Sequence, residues 1–288
     1  MRRTHINRSI KTIDRSRVHG EKFNNITEFY KFLETHPIKD EFKKYGDEPS
    51  SVTGTWEWTG TESYEAATRL LLHGDPEAKS RIDQSGYKAT LRNVNRTERK
   101  RTTVLAPCGF LPHVPNFLAG RPNNMFAQRI QMQRKKVLNV AYNTGACSGT
   151  DAVEMMNAAS DVLSAIIRCE AGGVRINLWS VAIAKSGGDY AVSAIKIKDS
   201  AQHIDIMKMS YPMTSPSMHR RHVFRFREVL PGLPSKFADG YGMTTNDDDE
   251  CEQCLKYLGI ECDAILGFYK CKDWSQEQIM EYITSVNK

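Results

Sequence analysis

The spacing of apolar positions changes along the chain, and the changes divide it. From Asn25 the spacing is helical. Asn25 stands three before Glu28, a capping-box interval, and Phe29, Phe32 and Leu33 share a face until Pro37. A second helix is predicted from Ser63 through Tyr64 to His73, stopped by Gly74. Asp75-Pro76 starts a third, with Asp as the cap and Pro in the first helical position. Trp56 and Trp58 alternate with Glu57 and Thr59, which predicts a strand-like lead-in whose rings pack into the core.

In the middle of the chain the pattern switches to strand, helix and strand. Val137–Tyr142 is a short apolar run, and Asn143–Thr150 is a loop of small residues. A long helix from about Asp151 to Glu170 follows, with Val153, Met156, Leu163, Ile166 and Ile167 on one stripe, ended by Gly172-Gly173. Val174, Ile176 and Leu178 alternate with polar or large residues in a second strand, and Tyr190–Lys198 makes a third after the turn 186–189. A strand-helix-strand order with short loops is a βαβ unit, which places the first two strands parallel in one sheet. The fold class expected is therefore α/β, a Rossmann-like sheet with flanking helices and an N-terminal helical segment.

Other stretches are less regular. Gly86–Val104 predicts extended chain broken by a basic cluster. Pro107, Gly109, Pro112, Pro115, Gly120 and Pro122 then punctuate a segment whose Phe110, Leu111, Phe117, Leu118 and Phe126 are expected against a core. His203–Met209 predicts a helix. Asn246–Glu250 precedes a helix ending at Gly259, and Ser275 with Gln278 opens a last one. The organisation that results is a basic flexible arm over 1–22, a helical and irregular region over 23–135, and an α/β domain with C-terminal helices over 136–288.

Composition narrows the function classes. The chain has 288 residues, 40% hydrophobic and 26% charged, which excludes wholesale disorder. It has no apolar run long enough for a transmembrane helix, and MRRTHINRSIKT has no apolar stretch of the secretory kind, so no membrane partner and a cytoplasmic location are expected. Seven cysteines is an odd count, better suited to reduced thiols than to a disulfide framework. Cys251 and Cys254 fall in a predicted helix and lack a second close pair, so they read as core thiols rather than zinc ligands. The run Asp247–Glu250 reads as the first turn of that helix, where the dipole favours negative charge. The loop after Tyr142 lacks both the Lys-Ser/Thr of a phosphate loop and the three-glycine dinucleotide spacing, and reads as a plain strand-to-helix turn. No Ser, Cys or Thr with a His and an acid falls in a nucleophile signature, which leaves catalysis a minority reading.

Charge is the stronger clue. The formal net charge is +6, unevenly distributed. Seven basic residues, Arg2 and Arg3 among them, face Asp14 and Glu21 over residues 1–22. Arg92, Arg96, Arg99, Lys100 and Arg101 surround Glu98. Arg121, Arg129, Arg134, Lys135 and Lys136 have no acid between them. Arg220, Arg221, Arg225 and Arg227 interleave with Phe224 and Phe226, which suits either base stacking or a strand with a buried aromatic face and a solvated Arg face. Residues 239–263 carry eight acids against Lys256, so the molecule reads as bipolar and suited to self-association. The function expected is non-catalytic binding of single-stranded DNA or RNA. The contacts are expected from Arg2, Arg3, Arg96, Arg99, Lys100, Arg101, Arg129, Arg134, Lys135, Lys136, Arg220, Arg221, Arg225 and Arg227.

The run from Lys136 to Trp179 also resembles von Willebrand factor type A domains, in its strand, small-residue loop, long helix, Gly-Gly and Val-Arg-Ile-Asn-Leu strand. In that family an Asp-x-Ser-x-Ser loop holds a divalent cation. Here Tyr142 or Asn143 falls at the Asp position, Thr144 or Gly145 and Ala146 or Cys147 at the Ser positions. That leaves Asn143, Thr144, Ser148, Thr150 and Asp151 as oxygen donors. The comparison implies a degenerate site, so no metal and no other cofactor is expected. Over residues 55–260 the order of segments is similar to proteins of tailed bacteriophages, which implies host cytoplasm. The type A resemblance implies an alternative role as a protein-interaction adaptor, for example of an AAA+ ATPase, and an unrecognised enzyme is a second alternative.

Overall fold

A computed structural model of the chain describes residues 12–43, 48–53, 56–84, 97–134, 137–147 and 149–285. In chain order the first elements are β1 (Val18–Phe23), α1 (Ile26–Thr35), α2 (Ser50–Thr53), α3 (Trp56–Thr59), α4 (Tyr64–His73) and α5 (Pro76–Gln84). Then come β2 (Thr97–Ala106), β3 (Leu111–Pro112), α6 (Val114–Leu118), β4 (Met125–Arg134), β5 (Val137–Asn143), α7 (Ala152–Ala171), β6 (Arg175–Ser186) and β7 (Asp189–Lys198). The remainder is α8 (Ile206–Thr214), a π-helical stretch (Met218–Val223) that runs into α9 (Phe224–Val229), β8 (Met243–Thr244), α10 (Asp248–Tyr257), β9 (Ala264–Gly267), α11 (Phe268–Cys271) and α12 (Gln276–Ser285). The chain forms two compact units, one of residues 1–90 with 137–288 and one of residues 91–136.

The larger unit is α/β, built on a six-stranded mixed sheet in the order β1-β7-β6-β5-β9, with β8 paired to β6. As the βαβ pattern predicts, β5 and β6 are parallel neighbours, with Val137 opposite Arg175 and Asn143 opposite Val181. β9 is parallel to β5, and β1 is parallel to β7. β6 and β7 form an antiparallel hairpin. Its tight turn is Gly187-Gly188, both at positive φ, the conformation a two-residue turn between right-twisted strands needs.

Both faces of this sheet are covered, which is why β6 is apolar almost throughout. Leu178 packs with α7 and α12, Ala182 and Ala184 pack with α1, α4 and α9, and Trp179, Val181 and Ile183 pack with Cys251, Cys254 and Leu255 of α10. Local chemistry starts the helices as expected. Glu28 N–H donates to Asn25 Oδ1 at 2.8 Å, Ala66 N–H to Ser63 Oγ at 3.1 Å, and Ala78 N–H to Asp75 Oδ1 at 3.0 Å. Ser275 and Gln278 make the reciprocal capping box of α12. Asp247 caps α10 by accepting from Asp249 and Glu250, so the acidic run is its first turn.

The smaller unit is a long antiparallel ribbon of β2 and β4, with β3 added to β4. Thr97 stands opposite Arg134, Arg101 opposite Ile130 and Ala106 opposite Met125.

Four expectations are corrected. Residues 18–22 are not arm but strand, because parallel pairing with β7 satisfies their backbone. Trp56 and Trp58 sit on a single helical turn closed by Gly60 N–H to Trp56 O at 2.8 Å, and Trp56 is 61% exposed rather than core. Phe110, Leu111, Phe117 and Leu118 are exposed, since a ribbon without a second layer has no core to receive them. Residues 218–229 are helical rather than extended. Almost every side chain of that segment is buried, so its alternation of Arg and Phe reports no solvated face.

One buried ion pair ties α7 to the sheet. Lys198 Nζ lies 2.5 Å from Glu170 Oε1 and also donates to the carbonyls of Ile176 and Asp199, while Glu170 accepts from Ile176 N–H. Removing one partner strands the other charge in a dry interior. Lys198→Met is expected to cost about 3–5 kcal/mol in urea unfolding, with part recovered by adding Glu170→Gln. A loss below about 1 kcal/mol would show that the pair contributes no more than a surface contact.

Candidate functional site

The four arginines of 220–227 serve the interior more than the surface. Arg221 is 0% exposed. Its Nε donates to Thr61 Oγ1 at 2.8 Å, Nη2 to Thr61 O at 2.7 Å and Nη1 to Val52 O at 3.0 Å, clamping α2 and the loop after α3. Arg225 is half-buried, its guanidinium 4.8 Å from the Tyr64 ring centroid and 3.9 Å from Glu228 Oε2. Glu228 is fully buried and accepts from Ser51 N–H at 3.0 Å, Ser51 Oγ at 2.5 Å and Tyr241 OH at 2.7 Å. Arg220 and Arg227 both lie over the Phe224 ring, at 4.6 and 5.6 Å from its centroid. Phe226 packs among Phe23, Phe29 and Phe32. Thus Arg221 and Arg227 are corrected from phosphate contacts to buried groups, Arg225 is held beside Glu228, and only Arg220 and Arg225 are partly exposed.

The two central basic clusters do meet. Pairing of β2 with β4 sets Arg99, Lys100 and Arg101 alongside Arg129 and Arg134 on one ribbon, and Arg101 and Arg129 are exposed. Arg2, Arg3, Arg96, Lys135 and Lys136 lie outside the described residues. The sequence reading missed that the clusters share one ribbon. The signal was present in the two strand-length basic runs on either side of a Pro/Gly-rich turn region.

The loop after β5 spends its oxygens on structure. Asn143 Oδ1 accepts from Gly145 N–H, and Nδ2 donates to Thr245 O at 2.9 Å. Thr144 Oγ1 donates to Val181 O, and Asp151 caps α7 by accepting from Val153 and Glu154 N–H. Gly145 sits so close to β8 that a Cβ there would come within 2.5 Å of Thr244 Cγ2. Ser148 lies outside the described residues.

This loop, the β6–β7 turn, the segment 219–227 and the loop 239–244 enclose a cavity of about 800 Å³ beyond the carboxyl ends of β5 and β6. Among its lining residues are Trp58, Cys147, Lys185, His219, Arg220 and Arg227. Lys185 pairs with Glu250 at 2.5 Å, and that hydrogen bond holds its pKa above the ordinary lysine range. Burial, with Arg227 and Arg220 beside it, pushes His219 down to about 3, so the ring is neutral at neutral pH. Tyr241 is the one non-glycine residue at positive φ among the described residues, at 62°. It is pinned by stacking on Phe224 at 4.0 Å, by its hydroxyl to Glu228, and by its carbonyl, which accepts from Arg227 Nη1 at 2.9 Å.

The open mixed sheet with helices on both faces and a cavity at its carboxyl end defines a Rossmann-like α/β protein that also carries a basic ribbon. A family described as a domain of unknown function, DUF7192, matches residues 6–282, and the chain belongs to it. No curated protein and no solved structure matches the chain.

Two outcomes check this account. Arg221→Ala should lower stability by about 3 kcal/mol or more, since it empties a buried site and orphans the acceptors at Thr61 and Val52. A variant with unchanged urea midpoint would contradict the clamp. Burial pushes Cys251 and Cys254 up to about 12, leaving almost no thiolate at pH 8. Iodoacetamide at pH 8 should therefore label exposed Cys108 in the native protein and reach Cys251 and Cys254 only after denaturation, as read by peptide mass spectrometry.

Proposed function

We propose that the chain binds single-stranded nucleic acid through the unit of residues 91–136, along the paired strands β2 and β4. The observation that carries this is the charge of that unit. It holds ten Lys and Arg against Glu98 alone, a net +9, so the rest of the chain carries a net −3. Two paired strands of such charge follow a phosphate backbone, and releasing its counterions drives the binding. The turn end of the ribbon adds exposed rings, Phe110 and Phe117, on which unpaired bases stack. No helix among the described residues is long and apolar enough to cross a membrane.

Fluorescence anisotropy with labelled oligonucleotides over a salt series tests the reading. Arg101→Gln with Arg129→Gln should flatten the log Kd against log salt slope by about 1.4, from about 0.7 per lost phosphate contact on a single strand. Phe117→Ala should cost about 1–3 kcal/mol of binding and leave the melting temperature unchanged, since the ring is exposed. Absence of oligonucleotide binding by the wild-type chain at low salt ends the proposal.

A protein partner or self-association has one observation in its favour, the apolar tip formed by Leu111, Val114 and Leu118, the last 80% exposed. On that reading Leu118→Asp abolishes a complex that survives high salt and leaves the oligonucleotide slope intact.

A further inference from the structure

The turn end of the basic ribbon carries aliphatic side chains that neither a core nor base stacking uses. There β3 and α6 fold back on β4 and are tied down as a knob. Phe110 N–H donates to Phe126 O at 2.9 Å, His113 N–H to Asn124 O at 2.7 Å and Arg121 N–H to Asn116 O at 3.0 Å. Asn116 Nδ2 closes the base by donating to Asn123 O at 3.0 Å, and the His113 ring packs edge-on against Phe126. A loop held at so many points cannot fold its apolar groups inward. Leu118 is 80% exposed, more than any other large apolar side chain among the described residues, and Leu111 and Val114 are exposed in the same knob.

A rigid aliphatic group held in water marks a surface that something covers. Charge selects the occupant. The chain has no Asp or Glu from Arg99 through Thr150, and Arg121, three residues after Leu118, is exposed. A knob-to-knob contact between two copies would set these cations against each other, whereas a polyanion is drawn to them. A leucine has no π-face to stack on an unpaired base. In duplex DNA, however, an apolar side chain enters between two base pairs as a wedge, unstacks them and kinks the helix toward the major groove.

The shape of the ribbon makes bending part of binding. The ten residues of β2 span about 34 Å, one turn of B-form DNA. With its side chains a ribbon is about 10 Å thick, more than the roughly 6 Å of an undistorted minor groove. Kinking toward the major groove opens the minor one and lets the ribbon in. The register puts Arg101 opposite Ile130 and Arg129 opposite Thr102, so the two exposed arginines project from opposite faces and each meets one wall of phosphates.

We infer that the ribbon binds the minor groove of duplex DNA and bends it, with Leu118 as the wedge at one base step and Arg121, Arg101 and Arg129 on the flanking phosphates. This rests on the reading that the unit of residues 91–136 takes nucleic acid, and it adds an activity that single-strand binding does not include. The step opens most easily where a pyrimidine precedes a purine.

The test is energy transfer between dyes on the two ends of a duplex of about 20 base pairs with a central TA step, titrated with the full chain at low salt. Anisotropy of a labelled single strand runs beside it. Transfer should rise at saturation, as for a bend of about 20–90°, and rise less on a duplex with a stiff central A-tract. Leu118→Ser should abolish the rise, weaken duplex binding about tenfold and leave single-strand affinity unchanged, while Leu118→Met keeps the bend. The side chain is exposed, so both variants keep the fold. Arg121→Gln should lower the duplex salt slope by about 0.9. Duplex bound without a rise in transfer, or a Leu118→Ser variant that bends DNA like the wild type, would overturn the inference and leave the nucleic-acid reading standing. Single-strand binding without duplex binding would do the same. Binding of neither would end both.

Discussion

Burying Arg221, Arg227 and Glu228 on one continuous helical segment is the constraint around which the larger unit is arranged. Each group is fully or nearly dry, and each would be costly alone. The fold answers by bringing distant chain to them. Ser51 and Val52, Thr61, and Tyr241 all come to this segment, from α2, after α3 and after α9. Loops that lack secondary structure of their own are thereby fixed by hydrogen bonds to charge, which are stronger than neutral ones. The π-helical stretch at 218–223 follows from the same demand. Widening the turn sets His219, Arg221 and His222 into three different surroundings within one stretch of chain, as π turns tend to do at functional positions.

The chain separates its electrostatics by unit. The unit of residues 91–136 carries a net +9 and the rest of the chain a net −3. The other buries three cations, Lys198, Arg221 and Arg227, among its described residues. A ribbon of two long strands and the two-residue β3 is marginal by itself, because a single layer leaves its hydrogen bonds open to water. Its sequence accepts that cost and places Arg101 and Arg129 in solvent.

Much of the fold was legible because it rests on short-range rules. The parallel pair β5–β6, the α7 cap at Asp151 and the helix starts at Asn25, Ser63 and Asp75 each depend on spacing and on one capping oxygen. The acidic turn before Cys251 was readable for the same reason. What the sequence hid depends on burial. Arg220–Arg227 reads as exposed because charge is usually exposed, and only tertiary contacts with Thr61, Val52 and Tyr241 make it interior. Phe110 and Phe117 read as core for the mirror-image reason. The cavity was wholly illegible, since its lining comes from five separate stretches of chain and no motif joins them.

Tyr241 shows how the two kinds of constraint meet. A tyrosine at φ 62° sits in a region that costs about 1–3 kcal/mol for a residue with a Cβ, and glycines on both sides could have taken the turn alone. Glycine at 241 would relieve the strain but lose the stacked ring on Phe224 and the hydroxyl on Glu228. The carbonyl that orients Arg227 belongs to the same residue, so strain, the buried carboxylate and the direction of the guanidinium are set by one side chain and its backbone. The segment so fixed lines the cavity at the carboxyl ends of β5 and β6, which is where open α/β sheets bind their ligands.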